Sequence, residues 1–182
     1  MEATLRMISA LGALNRASGK AGVFTGSVLI VIMTVLVILG VFFRYVLNNS
    51  LTWVEDVALI MMVTTAFLIA PFAYRNGANV AIEMVISALP QAAVRLLRLI
   101  INLLVLWVIY RYFFESLKLV ERGWGIRVNT VPIPWAIPYL IVPVAFASMA
   151  LVAIELIARD IWALAFGSNT ADLPHMAPVE PE

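Results

Sequence analysis

Four long apolar segments dominate this chain, and the first of them already restricts the class of protein. No residue between Gly22 and Phe43 is charged, and a helix over this run would be about 33 Å long, enough to cross the hydrocarbon core of a bilayer. Of all residues, 63% are hydrophobic and 13% are charged, whereas soluble domains are nearly half apolar and about a quarter charged. The sequence therefore predicts an integral membrane protein.

The spacing of the apolar segments predicts an all-α membrane fold in a single domain over residues 1–166. Four transmembrane helices fit this length, at about residues 22–45, 53–74, 92–114 and 134–158. Before them, leucine or isoleucine recurs every third residue from Leu5 to Leu14, which fits a short helix on the membrane surface or a frayed basic leader. After them, residues 167–182 are polar and proline-rich and are predicted to form a disordered cytoplasmic tail.

The link between the first two spans is short, so these helices are predicted to form an antiparallel hairpin. Arg44 follows the first apolar run, and Trp53, Glu55 and Asp56 begin the second helix. Thr52 and Glu55 match a capping box, and both carboxylates would lie at the positive end of the helix dipole. Local capping alone would explain the two acids. The alternative is a contact role, with Arg44 as the ionic partner of one of them across the hairpin.

The second span is predicted to end at Tyr74, and a polar elbow at Arg75, Asn76 and Gly77 leads into a segment too short to cross a membrane. Asn79 and Glu83 lie four residues apart on a narrow polar stripe, and apolar residues cover the rest of 79–89. Eleven residues reach only about 16 Å as a helix. The segment is therefore predicted to be an amphipathic arm helix that lies in the interface or against a partner, with a buried re-entrant loop as the alternative.

Charged residues border the third span more closely than the others. Its uncharged core runs from Leu99 to Tyr110, with Arg95 and Arg98 before it and Arg111 after it. These arginines must either snorkel to the interface or meet acidic groups on another subunit.

Prolines mark the fourth span. Trp135 lies near its first turn, and Pro138 and Pro143 are each predicted to kink the helix. Glu155 and Arg159 are four residues apart, in the favourable order, where the helix should leave the bilayer. This spacing predicts an ion pair on the surface.

The distribution of Lys and Arg predicts that both termini are cytoplasmic, since basic residues are enriched on that side. The side with the termini holds seven: Arg6, Arg16, Lys20, Arg75, Arg95, Arg98 and Arg159. The other side holds five: Arg44, Arg111, Lys118, Arg122 and Arg127. The bias is small, but three basic residues precede the first span, which usually dominates orientation.

Residues suited to catalysis or metal binding are scarce. There is no cysteine, and the one histidine, His175, lies in the predicted tail, so thiolate metal sites and a haem held between helices are not expected. No cofactor is predicted. The formal net charge of +1 offers no basic field to nucleic acid.

Every acidic residue is predicted to lie at a helix end, in the arm helix, in a loop or in the tail. The buried carboxylate that usually marks an ion-coupled transport site is therefore not expected within the spans. No glycine-rich phosphate loop and no converging acid pair is present either. The chain is predicted to be a non-catalytic scaffold subunit, with a stand-alone small homo-oligomeric transporter or channel as the alternative.

Several short motifs resemble the small membrane subunit of tripartite ATP-independent periplasmic (TRAP) transporters, the DctQ-like family. They are Arg44, Trp53-Val54-Glu55-Asp56, Phe67 to Arg75, Asn79 to Glu83, Leu89-Pro90, Ile133-Pro134-Trp135, Tyr139 and Val142-Pro143. The likeness covers about residues 15 to 165. The chain departs from the family pattern at Ile69, where glycine is frequent, at Asn79, where histidine is frequent, and at Glu83, where aspartate is usual.

The resemblance implies a subunit packed permanently on a large membrane subunit in the bacterial inner membrane. In that family the large subunit carries substrate, here expected to be an organic acid anion, together with sodium in an elevator-like movement. A soluble periplasmic protein delivers the substrate. The small subunit would then be an anchor that stabilises and orients the large one.

Two sets of residues are expected to make contacts. The hairpin, elbow and partner-interface candidates are Arg44, Trp53, Glu55, Asp56, Tyr74, Arg75, Asn79, Glu83 and Trp135. A predicted loop from 115 to 129 carries three basic residues that would help to dock the periplasmic protein, namely Lys118, Arg122 and Arg127. A merely solvated loop is the alternative for the second set.

Overall fold

The computed structural model describes residues 2–76 and 91–166, which form a bundle of helices. The helices are α1 (Glu2–Tyr45), α2 (Trp53–Arg75), α3 (Gln91–Gly123), the short α4 (Ala136–Tyr139) and α5 (Ile141–Phe166). The segments long and apolar enough to cross a membrane are Ile8–Tyr45, Trp53–Arg75, Leu96–Gly123 and Ala136–Trp162. The all-α fold with four membrane-spanning helices is confirmed. The predicted arm helix at 79–89 and the predicted tail at 167–182 lie outside the described residues.

Helix α1 is a continuous rod of 44 residues, about 66 Å long at the usual rise per residue. The separate surface helix or frayed leader expected before Gly22 is therefore wrong. Gly12 and Asn15 are buried against α5, and this tertiary packing holds the N-terminal turns in the same helix as the span. At the other end Asn48 adopts a left-handed φ of 50°, which asparagine tolerates, and the chain turns toward α2.

Helices α1 and α2 pack closely along a row of glycines. A Cβ added at Gly22 would lie 2.5 Å from the carbonyl oxygen of Leu68, and one added at Gly26 would lie 3.0 Å from Cδ1 of Ile69. Small residues allow membrane helices to approach until their backbones nearly touch, which maximises dispersion contacts where no hydrophobic force acts between helices. The glycine seam, Gly19, Gly22 and Gly26, therefore sets the distance between α1 and α2.

Helix α5 is the centre of the bundle, because it contacts each of the other helices. Its buried apolar residues are Val142, Ala145, Val152 and Ala153. Phe146 of α5 lies between two neighbours, with its ring centroid 6.1 Å from that of Phe67 on α2 and 5.9 Å from that of Tyr112 on α3. These three rings place Phe67 of α2, Tyr112 of α3 and the second turn of α5 at one depth.

The two prolines of the fourth span act differently. The break between α4 and α5 falls at Leu140, three residues before Pro143, whose ring has no amide to donate to the carbonyl of Tyr139 and crowds that carbonyl. Pro138 lies inside the single turn of α4, where its missing amide costs nothing because the first amides of a helix have no intrahelical acceptor.

Helix α3 continues to Gly123, beyond its predicted end at 114. Lys118 and Arg122 therefore lie on a helix, and the prediction that they belong to a loop is wrong; Arg127 does lie in the loop. Charged residues suggested that the helix had ended, but Lys118 donates to Glu115 one turn earlier at 2.8 Å, a pairing that a continuous helix favours.

The loop after α3 folds back on itself as a short hairpin. The amide of Val128 donates to the carbonyl of Ile133 at 3.0 Å, and that of Trp135 donates to Ile126 at 2.9 Å. A Cβ at Gly123 would lie 2.6 Å from the amide nitrogen of Ala136, so only glycine permits α3 and α4 to meet this closely.

Gly22→Val should destabilise the bundle, because the new Cβ would overlap the carbonyl oxygen of Leu68. Valine and glycine differ little in helix propensity, so the effect reports packing. We expect a loss of about 1–3 kcal/mol, the usual range for overpacking, measured by dodecyl sulfate denaturation in mixed micelles. Gly125→Val is the control, since the nearest atom to its Cβ is 3.7 Å away. Equal losses for the two variants would contradict the proposed role of the seam.

Candidate functional site

A buried carboxylate lies where three helices meet. Glu155 of α5 is 1% exposed. Its Oε1 accepts two hydrogen bonds from Arg159, one from Nη2 at 2.7 Å and one from Nε at 3.0 Å. The predicted pairing of these residues is present, but the prediction that it lies on the surface is wrong. The expectation that all acidic residues lie at helix ends, in loops or in tails is also wrong, because Glu155 is buried within α5.

The other partners of Glu155 come from α1 and α2. Arg75, the last residue of α2, donates from Nη2 to Oε1 at 3.1 Å and from Nε to Oε2 at 3.4 Å. Asn15 of α1 donates from Nδ2 to Oε2 at 2.7 Å and to the carbonyl of Leu151 at 3.2 Å. We call Asn15, Arg75, Glu155 and Arg159 the ionic cluster. It joins helices that are distant in sequence through one carboxylate.

Glycine makes room for the ionic cluster on α1. A Cβ at Gly12 would lie 2.6 Å from Nη2 of Arg159 and 2.8 Å from Oε1 of Glu155. The backbone of α1 therefore approaches the ion pair directly, which keeps water away from it.

The charges of the ionic cluster do not cancel, since two guanidinium groups face one carboxylate. The side chains of Arg75 and Arg159 are 9% and 7% exposed. Burial of ions costs free energy that their attraction roughly offsets, so such a cluster adds little net stability, whereas removal of one member leaves an uncompensated buried charge. The cluster consequently favours one arrangement of α1, α2 and α5 over alternatives in which these groups do not meet.

A second polar network lies beside the ionic cluster and includes α3. The hydroxyl of Tyr74 donates to Oδ1 of Asn102 at 3.0 Å, and Nδ2 of Asn102 donates to Oδ2 of Asp160 at 2.7 Å. Arg98 of α3 also interacts electrostatically with Asp160. Asp160 belongs to the same chain, so Arg98 has an acidic neighbour without a second subunit. The two networks together tie all four membrane-spanning helices at one end of the bundle.

The opposite end of the bundle is held by the acids that begin α2. Arg44 donates to Glu55 at 2.6 Å and to Ser50 at 3.5 Å, so the ionic contact across the hairpin is present. The capping box is wrong: Thr52 has helical backbone angles and makes no side-chain cap hydrogen bond. Glu55 is 68% exposed, which limits what this pair adds to stability.

Asp56 connects the hairpin to the loop after α3. Its Oδ2 accepts a hydrogen bond from the amide of Thr130 at 3.2 Å and another from the hydroxyl at 2.6 Å. Thr130 lies at the tip of the short hairpin within that loop, so one carboxylate holds the loop on the start of α2. The sequence suggested capping, a bond to Arg44 or a contact with a partner subunit for Asp56, but not this bond to the loop.

The other residues that the sequence predicted to make contacts are spread over the surface at the hairpin end of the bundle. Trp135 stacks on Tyr139 with ring centroids 5.5 Å apart, and Trp53 is 40% exposed. Arg122 and Arg127 are exposed, and Arg122 lies one turn after Lys118 on α3, where both interact electrostatically with Glu115. Asn79 and Glu83 lie outside the described residues.

The polar contacts of the described residues join helices to one another. Among residues 2–76 and 91–166, no group of three or more His, Cys, Asp or Glu side chains could hold a metal ion. A cavity of about 270 Å³ lies between α1, α2 and α5. Its lining contains no ionisable residue: Ser18, Ala21, Gly22, Thr25, Phe67, Leu68, Pro71, Ile141, Val144, Ala145 and Ser148.

A signal for the ionic cluster is present in the sequence. Glu155 and Arg159 continue the heptad-like spacing of Ala145 and Val152, the face of α5 that packs against its neighbours. Asn15 gives no comparable signal, because it precedes the first uncharged run.

Two comparisons with known proteins bear on this arrangement. The family model described as "Tripartite ATP-independent periplasmic transporters, DctQ component" matches residues 33–162. The chain is also similar to the isethionate TRAP transporter permease protein DctMQ of Oleidesulfovibrio alaskensis, with 24% identity over 100 residues. That alignment covers 54% of this chain and 16% of the relative, so the chain matches only a small part of that longer protein. This multi-pass membrane protein therefore belongs to the DctQ family of TRAP transporter small membrane subunits.

Proposed function

We propose that this chain is the fixed anchor subunit of a sodium-coupled TRAP transporter in the inner membrane. It would stabilise and orient a large elevator-type subunit that imports organic acid anions. The observation that carries this proposal is the burial of Glu155 between Arg75 and Arg159, because a carboxylate held by two guanidinium groups is engaged in structure rather than available to a solute. The family membership is consistent with a transport role exercised together with other subunits.

An anchor must resist deformation when its neighbour moves. The two polar networks link all membrane-spanning helices at one end, and the Arg44–Glu55 and Asp56–Thr130 contacts link α1, α2 and the loop after α3 at the other. Packed interiors transmit strain instead of yielding to it. A bundle tied at both ends is suited to remain still while a partner domain slides against it.

The proposed partners are the large membrane subunit, held in a stable heterodimer, and a periplasmic substrate-binding protein that docks transiently. The relative named permease protein DctMQ contains the similar segment within a much longer chain, which supports a large membrane partner. For the periplasmic protein, the sequence predicts docking by Lys118, Arg122 and Arg127. Of these three we propose only Arg122 and Arg127, at the loop end of the bundle, because Lys118 lies one turn deeper on α3 and bonds to Glu115.

Both termini are proposed to be cytoplasmic. Arg75 and Arg159 of the ionic cluster then lie toward the cytoplasm, where basic residues are enriched.

Reconstitution tests the proposed function. Liposomes containing this chain alone should show no uptake of organic acid anions under a sodium gradient. Liposomes containing the large subunit, with the periplasmic protein outside, should show uptake that rises when this chain is added. Uptake by this chain alone would overturn the proposal and favour a stand-alone homo-oligomeric transporter.

Glu155→Ala should strongly destabilise the subunit, because it leaves Arg75 and Arg159 buried without a counter-charge. We expect a loss of about 3–5 kcal/mol in dodecyl sulfate denaturation, and less recovered complex. Glu55→Ala is the exposed control and should lose no more than about 1 kcal/mol. Combining Glu155→Met with Arg75→Met and Arg159→Met should recover most of the loss, since no buried charge remains. A triple variant as unstable as Glu155→Ala would contradict this explanation.

Reversing both acids at the start of α2, with Glu55→Lys and Asp56→Lys, should reduce recovery of the complex with the large subunit. Arg44 and Thr130 would lose their acceptors, and the loop after α3 would no longer be held on α2. Co-purification from detergent measures the effect, with Glu121→Lys as an exposed control in which one acid is reversed. Unchanged co-purification together with unchanged uptake would remove these two acids from the interface.

A further inference from the structure

The ring contacts of Phe146 provide a measure of membrane depth within the bundle. Phe67 lies near the middle of the uncharged run of α2 from Val57 to Tyr74, and Phe146 packs on it. Tyr112 of α3 stacks on the other side of Phe146, with the ring planes 18° apart. Tyr112 therefore lies level with the middle of the uncharged run of α2.

Three charged residues of α3 lie within two turns of Tyr112. Arg111 precedes it directly, and Glu115 and Lys118 follow it, so all three lie within about 9 Å of that depth along the helix. The hydrogen bonds of Tyr74 to Asn102 and the close contact of Gly123 with α4 keep α3 in register with its neighbours. These charges are therefore at the level of the uncharged cores of the other spans.

The same charges lie on the side of α3 that faces away from the bundle. The side chains of Glu115 and Lys118 are 56% and 55% exposed. Together with neighbouring aromatic rings they line a concave site of about 190 Å³. We call this surface the outer face of α3; it comprises Tyr110, Arg111, Phe114, Glu115 and Lys118.

Helix α1 presents a contrasting surface at the same depth. Its exposed residues include Phe24, Val31 and Ile38, which are 73%, 63% and 62% exposed, and no residue between Gly22 and Phe43 is charged. Such a surface suits lipid tails. Charged side chains at mid-membrane are costly in lipid and almost always face protein or a water-filled space, so the outer face of α3 is not suited to lipid.

We propose that the outer face of α3 is the surface on which a membrane helix of the large subunit packs, with a carboxylate of that helix seated beside Arg111. This inference rests on the proposed function. Lys118 bonds to Glu115, and Arg111 interacts electrostatically with the same carboxylate. Two cations beside one anion leave the face with one positive charge in excess, which an acidic side chain complements. The site is large enough for a side chain, and the flanking rings of Tyr110 and Phe114 supply the buried aromatic contacts typical of helix interfaces.

Photo-crosslinking compares the two surfaces directly. The photoreactive residue p-benzoylphenylalanine replaces Phe114 on α3 in one sample and Phe24 on α1 in the other, in membranes that also contain the large subunit. We expect an adduct with the summed mass of the two chains at position 114, at least tenfold more abundant than at position 24. Equal yields at both positions, or lipid adducts alone at position 114, would overturn the proposal.

A charge substitution tests the carboxylate. Arg111→Leu should lower recovery of the complex at least tenfold, whereas Arg111→Lys should retain most of it because the charge remains. The isolated Arg111→Leu subunit should insert and unfold like the unmodified chain, since it loses only an outward charge at mid-membrane. Full recovery of the complex with Arg111→Leu would contradict the carboxylate contact.

These results can be separated from a failure of the proposed function. Co-purification of the unmodified chain with the large subunit is measured first, and its absence would overturn the anchor role itself. Co-purification without a crosslink at position 114 would leave the anchor role standing and reject the outer face of α3 as the interface. Reaction of a Tyr110→Cys thiol with a polar maleimide in the assembled complex would indicate a water-filled space instead, and would also reject the proposal. The chain has no native cysteine that could interfere.

Discussion

The carboxylate of Glu155 is the contact on which the arrangement of this bundle depends. Its oxygens accept from Asn15, Arg75 and Arg159, so one acid determines how α1, α2 and α5 are rotated relative to one another. Between apolar helices in lipid there is no hydrophobic force that selects one rotation. Buried ion pairs add little net stability, but they penalise arrangements that separate their members. Specificity, more than stability, is what the cluster contributes to this fold.

The two ends of the bundle use polarity in different ways. At the cluster end the charges are buried and connected, and they join every membrane-spanning helix. At the hairpin end the Arg44–Glu55 pair is exposed, and the firmer link is the double hydrogen bond from Thr130 to Asp56. Between the ends, glycines and aromatic rings set helix distances. A bundle built in this way has its polar contacts near the two ends and leaves the middle of each helix to packing, except on α3.

Much of the fold follows from local properties of the sequence, and most of the site does not. Apolar segments of the length that crosses a bilayer predicted the four helices, and the short link after Arg44 predicted its contact with an acid of α2. The burial of Glu155 was missed because the rotation of a helix about its axis is set by tertiary contacts. The end of α3 was placed too early because Glu115 and Lys118 resembled a loop, although their spacing also fits a helix. Thr52 matched a cap by residue type, but its backbone angles place the hydroxyl elsewhere.

The position of Glu155 in the chain also governs the order in which the fold can close. Asn15 and Arg75 are synthesised well before the only carboxylate that binds them in the described structure. Helices α1, α2 and α3 therefore enter the bilayer as a group in which the guanidinium of Arg75 does not yet have its counter-charge. Arrival of α5 supplies the carboxylate that this group lacks, so α5 completes the packing of the helices synthesised before it.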